Sequence, residues 1–339
     1  MHKVLSFGEL LLRICPDQDG TWLKENNFPV YAGGAEANVA AALALWKVPS
    51  AYLSAVPDNF IARQLISFLD QLNIDTSAMV YSGERLGLYF LDKGKDLKNA
   101  GVIYDRKHSS FAALTRGMID WEKVFQGISW FHFSAICPAI SQELAEVCEE
   151  ALQAARKLNI RISIDLNYRA KLWKYGKDPA EVLPSLVKYC DLVMGNIWAA
   201  ERMLGIPVSA MVPEEEEQAS YLRQSEQSSK AIQDQFPQCS VVANTFRFDR
   251  GEGIAYYTTL YTGGQLFVSR TYQAAKITGK VGSGDCFMAG LIYGYYHNLP
   301  AQQIADFATS AAFAKLFTET DFNTTKIEDI AKVVQPYEN

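Results

Sequence analysis

The chain has 339 residues, 49% of them apolar and 21% charged, with a formal net charge of −6. That balance fits a soluble protein with a large core, and the acidic excess speaks against a nucleic-acid or membrane-surface partner. No run reaches the roughly 18 uninterrupted apolar residues of a membrane span, and residues 1–14 lack the apolar core and cleavage site of a signal peptide.

The length is long for one compact domain and short for two, and neither a repeat nor a long linker divides residues 1–339, so a single domain is expected. KVLSFG (3–8) reads as a buried strand, and ELLLRIC (9–15) as a strand of a smaller sheet. YAGGAEANVAAALALWKV (31–48) sets Gly33 and Gly34 ahead of an Ala-rich helix with Asn38 in its first turn. In 84–106, two β-rich runs flank DKGKDLKNAG and predict a hairpin. Together with residues from 9 to 32, residues 84–110 are expected to form a small β-sheet lid, which can cover a site at strand ends. WFHFSAI (130–136) leads through Cys137–Pro138 into the helix-like SQELAEVCEEALQAARKL. RISIDL (161–166) leads to Asn167–Tyr168–Arg169, and DLVMG (191–195) to Asn196 and WAAERML. Short apolar strands alternating with helices predict a three-layer, doubly wound α/β fold around a mostly parallel sheet. Ligands bind outside the carboxyl ends of such strands, where these polar residues fall. The polar stretch 213–230 is expected to be a solvated helix or loop. Six scattered cysteines suggest reduced, buried thiols in a cytoplasmic protein. The four histidines show no metal-ligand spacing, and no protein metal site is assigned.

KVGSGDCFMAGLIYGY (280–295) places Gly282, Ser283, Gly284 and Asp285 at the mouth of an apolar helix. A helix N-terminus has unpaired N–H groups and partial positive charge, and glycines let a ligand come close. The result is an anion cradle suited to phosphate. Asp285 would repel phosphate, but it suits a hydroxyl awaiting deprotonation while the N–H groups hold a transferring phosphoryl group. A plain tight turn with an ordinary first-turn acid fits the same four residues. The helix behind is apolar nearly all round, which predicts burial, and Gly290 and Gly294 allow close packing.

The two glycine-led stretches together resemble the signatures of the ribokinase family of sugar kinases. GGAEANVA resembles the amino-terminal G-G-x-x-x-N-x-A pattern, and GSGDCFMAG the carboxy-terminal G-A-G-D-x-F-x-x-G pattern. They lie in the expected order, about 250 residues apart, and the resemblance covers nearly the whole chain. It implies a ribokinase-like fold and phosphoryl transfer from ATP to a sugar. Asp285 would be the general base, and the N–H groups of Gly282, Ser283 and Gly284 the anion hole. Four stretches look most like the branch that acts on 2-keto-3-deoxygluconate: GGAEANVA (33–40), GLYF (87–90) with IYDRK (103–107), FSAICPAIS (133–141) and IDLNYRAKLW (164–173). That substrate is a sugar acid, and a planar guanidinium is the best partner for a carboxylate. Arg106 on the hairpin and Arg169 at a strand end are the candidates, although each also fits a lid or surface salt bridge. By resemblance Gly33, Gly34, Tyr89 and Tyr104 line the sugar site, Asn38 binds a hydroxyl, and Asp321 aligns with a late acid near the substrate. Rival readings are a kinase for another sugar, such as fructose, and a sugar-acid-binding regulator without turnover.

Three positions depart from the family pattern. Gly279 stands where relatives often carry an Asp that helps hold a monovalent cation, so dependence on such a cation is doubtful. The neighbouring Lys280 is expected to take the cation's electrostatic place, unless packing alone holds the loop. The N-x-x-E motif begins at Asn196 but ends in Ala199. The Gly-rich nucleotide turn reads ANTFRFDRGEG (243–253), with Thr245 and Arg247 in place of the usual residues. Arg247 fits a phosphate contact or a surface arginine equally well. Asn196, Thr245, Arg247, Gly282 and Gly284 are assigned to ATP, and Mg²⁺ is expected to arrive with the nucleotide. An exposed lid sheet needs its edges and apolar face covered, so a homo-oligomer joined through the lid is expected.

Overall fold

Leu5 and Phe7 pack into one apolar cluster while Val4, the residue before Leu5, packs into another. Successive side chains of a strand point to opposite faces, so a strand buried on both faces must be apolar throughout. Strands of this kind build the main sheet of the computed structural model, which describes residues 2–16, 22, 28–91, 101–208 and 217–334. Its order is Gln265–Val268, Gly253–Thr262, Val241–Arg250, Leu192–Gly195, Arg161–Asp165, Ile128–Ser134, Lys3–Phe7, Ser50–Leu53, Ile74–Asp75. From Val241–Arg250 to Ile74–Asp75 every pairing is parallel, and the strands beyond Val241–Arg250 are antiparallel. The helix Gln142–Lys157 covers one face. The helices Ala35–Leu45, Ser283–Tyr296 and Ala301–Lys315 cover the other. This is the three-layer α/β arrangement expected.

The chain winds from Lys3–Phe7 out to Ser50–Leu53 and Ile74–Asp75, then returns to Ile128–Ser134 on the other side of Lys3–Phe7. That reversal opens a crevice at the carboxyl ends of the two central strands. The second sheet runs Val30–Gly33, Leu11–Ile14, Gly87–Phe90, Ile103–Asp105. Gly87–Phe90 and Ile103–Asp105 pair antiparallel, as the hairpin reading requires, and Leu11–Ile14 joins them in parallel. Of the expected lid, residues 17–21, 23–27 and 92–100 lie outside the described residues.

Gly290 and Gly294 set the spacing of the two helices behind the crevice. A Cβ on Gly290 would stand 2.5 Å from Ala308 Cα, and one on Gly294 would stand 2.7 Å from Ile304 Cγ1. The polar stretch differs from expectation. Residues 213–216 lie outside the described residues, and Glu217–Gln235 is a helix whose Ser220, Gln224, Ser225, Ser228 and Ser229 are buried. Small hydroxyl side chains satisfy one another there: Ser225 Oγ lies 2.7 Å from Thr259 Oγ1, and Asn244 Nδ2 donates to Ser225 Oγ at 3.1 Å. All six cysteines are buried free thiols. Among the described residues no helix is long and apolar enough to cross a membrane.

Candidate active site

The crevice holds a cavity of about 690 Å³. Its floor is the mouth of Ser283–Tyr296. Gly282 caps that helix in the left-handed region, at φ 78°, where a side chain would also strike Asp321 O at 2.6 Å. The turn admits a glycine only. Cys286 N already donates to Gly282 O at 2.8 Å, which leaves the N–H groups of residues 283–285 as the unpaired first-turn donors of the helix.

Asp285 projects from this turn and accepts from Asn38 Nδ2 at 2.6 Å. The two glycine-led stretches, far apart in sequence, therefore meet at one bond. Asp285 touches the cavity along one edge, but protein surrounds its carboxyl. Loss of hydration pushes its pKa up to about 7; Asn38 pulls the other way, Asp165 and Glu36 add to the rise, and Arg169 opposes it. A carboxyl poised there takes up and releases a proton near neutral pH.

Glu36 and Asp165 come from the expected strand and helix ends but were not singled out in the sequence. Glu36 is buried in the first turn of Ala35–Leu45 and accepts from Ser134 N at 3.1 Å and from the Ser134 hydroxyl. Burial raises its pKa, against the Ser134 hydrogen bond. Asp165 ends its strand and accepts from Asn167 N at 3.0 Å. The available signal was position: each acid lies within a few residues of a polar strand end already marked.

Of the residues assigned to the sugar, Gly34, Asn38, Tyr89, Tyr104, Arg106 and Arg169 line the cavity. Arg106 is buried, and its Nε pairs with Glu9, which also takes the Ser109 hydroxyl. Burial opposes its charge, but Glu9, joined by Glu36 and Cys137, favours it, and the pKa is raised. Arg169 Nη1 donates to Tyr168 O at 3.2 Å. Gly33 and Asp321 do not line the cavity. Asp321 sits behind it, gripped by Arg13 Nε at 2.7 Å and by the Tyr89 hydroxyl at 2.6 Å. A Cβ on Gly33 would lie 3.0 Å from Asp321 Oδ2, so both residues set the position of Tyr89 from behind.

At the other end, Asn196, Thr245 and Arg247 line the cavity, joined by Trp198, Arg202 and Lys280. Asn196 Oδ1 is engaged as helix cap, accepting from Ala199 N at 2.8 Å. Lys280 pairs with Asp249 at 2.8 Å. Cationic groups and a helix mouth fit the phosphates of a nucleotide. Among the described residues no group of three or more His, Cys, Asp or Glu is placed to hold a metal ion.

A carboxyl poised near neutral pH beside a helix mouth, with cations at both ends of the cavity, is an arrangement suited to phosphoryl transfer to a hydroxyl. The sequence signature of the pfkB family carbohydrate kinases matches residues 1–323. The chain belongs to that family. Among solved structures, 2-dehydro-3-deoxygluconokinase from Thermotoga maritima is 31% identical with a TM-score of 0.89, covering 98% of this pfkB chain and 99% of its own. A 2-dehydro-3-deoxygalactonokinase of Haloferax volcanii is 30% identical over 202 residues, 59% of this chain and 61% of that relative's length. Fructokinase-2 of Zea mays is 30% identical over 57% of each chain.

Proposed function

We propose that the protein transfers the γ-phosphoryl group of ATP to the terminal hydroxyl of 2-keto-3-deoxygluconate, giving the 6-phosphate. The observation that carries this reading is the Asn38–Asp285 pair at the helix mouth, in a cavity that also presents Arg106 and Arg169. The arginines hold the acid's carboxylate, and Asn38 orients a hydroxyl against Asp285. Asp285 takes the hydroxyl proton as the oxygen attacks the γ-phosphorus. The bond to the bridging oxygen then breaks, and ADP leaves with that bond's electron pair. The N–H groups at the helix mouth hold the charge on the moving phosphoryl oxygens. Arg247 and Lys280 face the nucleotide's phosphates. Mg²⁺, carried by the nucleotide, would neutralise phosphate charge there. The second sheet would close over the sugar end as a lid.

The names of the Thermotoga and Haloferax relatives support a 2-dehydro-3-deoxy sugar acid as acceptor. The Zea mays relative supports a second reading, a neutral ketose, against which the two arginines weigh. Incubation with ATP·Mg²⁺ and 2-keto-3-deoxygluconate, followed by ³¹P and ¹³C NMR, tests the proposal. The expected result is one ADP per 6-phosphate. Binding of the acid in calorimetry without any product would instead make the protein a sugar-acid sensor.

A further inference from the structure

Lys315 ends the helix Ala301–Lys315 and is only 1% exposed. A lysine is seldom so buried unless its charge is matched. Its Nζ donates to Thr320 O at 2.7 Å and to Thr318 Oγ1 at 2.8 Å. The Thr318 hydroxyl itself donates to Lys315 O at 3.0 Å, so its oxygen is an acceptor towards Nζ. The lysine stem runs beneath the anion cradle: a Cβ on Gly282 would lie 3.1 Å from Lys315 Cε. The segment that leads into the cradle is tied to the same helix end, since Thr278 N and Gly279 N donate to Leu316 O at 2.9 and 3.1 Å. The lysine side chain thus joins the helix mouth at Gly282 to the turn 318–320, while the segment 278–279 is held by the backbone of the next residue, Leu316. Lys315 does not line the cavity, so it reaches neither reactant. Burial sets its pKa below the ordinary lysine value, with Arg13 adding to the fall, while Cys286, Asp321 and Asp285 favour the charge.

We propose that Lys315 is a positioning residue that acts as a built-in cation. It fixes the Gly282–Gly284 turn and adds positive charge beneath the anion hole, so that phosphoryl transfer needs no added monovalent cation. Gly279 brings no carboxylate to this region. Lys280, the residue expected from sequence to stand in for a cation, turns instead to Asp249. An ammonium is close to K⁺ in size and, like it, takes oxygen ligands, so the Lys315 head group fills the role that a free ion would otherwise have. The role rests on the phosphoryl transfer proposed above.

The test exchanges K⁺ for tetramethylammonium at fixed ionic strength and follows ADP release with 2-keto-3-deoxygluconate, or with fructose if that acid is not turned over. Wild-type kcat is expected to be unchanged by the exchange. Lys315→Ala is expected to lose roughly 10²-fold in kcat, the scale of a lost anion-hole contact, with sugar KM nearly constant. Millimolar K⁺ or NH₄⁺ should restore much of that loss. Crystals grown with Rb⁺ give a readout independent of turnover: the ion should appear beside Thr320 O in the variant and not in the wild type. Activation of the wild type by K⁺ would overturn the proposal. So would a folded Lys315→Ala enzyme with native kcat, or one that K⁺ and NH₄⁺ leave impaired. If the variant does not fold, the wild-type exchange and the wild-type Rb⁺ crystal decide. If neither sugar is turned over, the substrate reading fails while the Rb⁺ comparison still tests Lys315.

Discussion

Asp285 illustrates how one side chain couples stability to chemistry. Its carboxyl, held near 7 by burial and by Asp165 and Glu36, must be ionised to take a proton. The kcat/KM of the free enzyme is therefore expected to fall about tenfold per unit as pH drops below about 7. Asp285→Asn should lower kcat by roughly 10²–10⁴-fold and flatten that limb, which a pH profile of both enzymes would reveal. The same shift has a cost in stability. Between its ordinary 3.8 and about 7 the folded chain keeps a proton that the unfolded chain releases, so rising pH weakens the fold across that window. Asp285→Asn should accordingly raise Tm at pH 8, by on the order of 1 kcal/mol of stability, and raise it less at pH 5. Calorimetry at the two values decides it, and equal Tm changes would mean that the carboxylate is not strained. Arg169→Lys keeps the charge and loses the planar fork. It should weaken sugar-acid binding far more than binding of a neutral analogue, and an unchanged Kd for the acid would make Arg169 structural.

Among the elements, the antiparallel helix pair Ser283–Tyr296 and Ala301–Lys315 brings the Gly282 mouth of one helix and the Lys315 end of the other together. Gly290→Ala would push a methyl group to 2.5 Å from Ala308 Cα. Such overpacking costs roughly 1–3 kcal/mol. Because separating the helices moves the mouth, kcat should fall along with denaturant stability, and a variant that lost stability alone would uncouple the two. The glycine pair and the apolar helix were legible from sequence, as were the strands that lead to Asn167 and Asn196, because periodicity and punctuation are local signals. Lys315 was not. In AAFAKLFTET a lysine in the last turn reads as a solvated residue that complements the helix dipole, and its burial comes from the turn at Thr318 and Thr320 folding over its head while its stem packs under the distant Gly282. The helix Glu217–Gln235 misled for the opposite reason: its serines look solvated, yet they bury against the threonine and asparagine side chains of neighbouring strands. Asp321 was placed at the substrate by alignment alone, and Arg13, its partner, lies 308 positions away.

For the molecule as a whole, the outer strands of the small sheet pair with no further strand among the described residues, and Val30 is 56% and Ile103 64% exposed. Apolar side chains on unpaired edges invite a second copy of the sheet. Light scattering is expected to find a dimer or higher oligomer, and Ile103→Glu should shift it towards monomer; a wild-type monomer at assay concentration would remove the lid from assembly. Arg106 directly follows the strand Ile103–Asp105 of this sheet, so the proposed closure and the proposed recognition of the acid would belong to the same motion. The central claim is that two arginines select a sugar acid for a hydroxyl held at Asp285. The most direct measurement is kcat/KM for 2-keto-3-deoxygluconate against fructose, side by side with ATP·Mg²⁺. Guanidinium groups that gain a carboxylate partner only from the acid predict a preference for it of at least roughly 10²-fold. Equal values, or a preference for fructose, would contradict it.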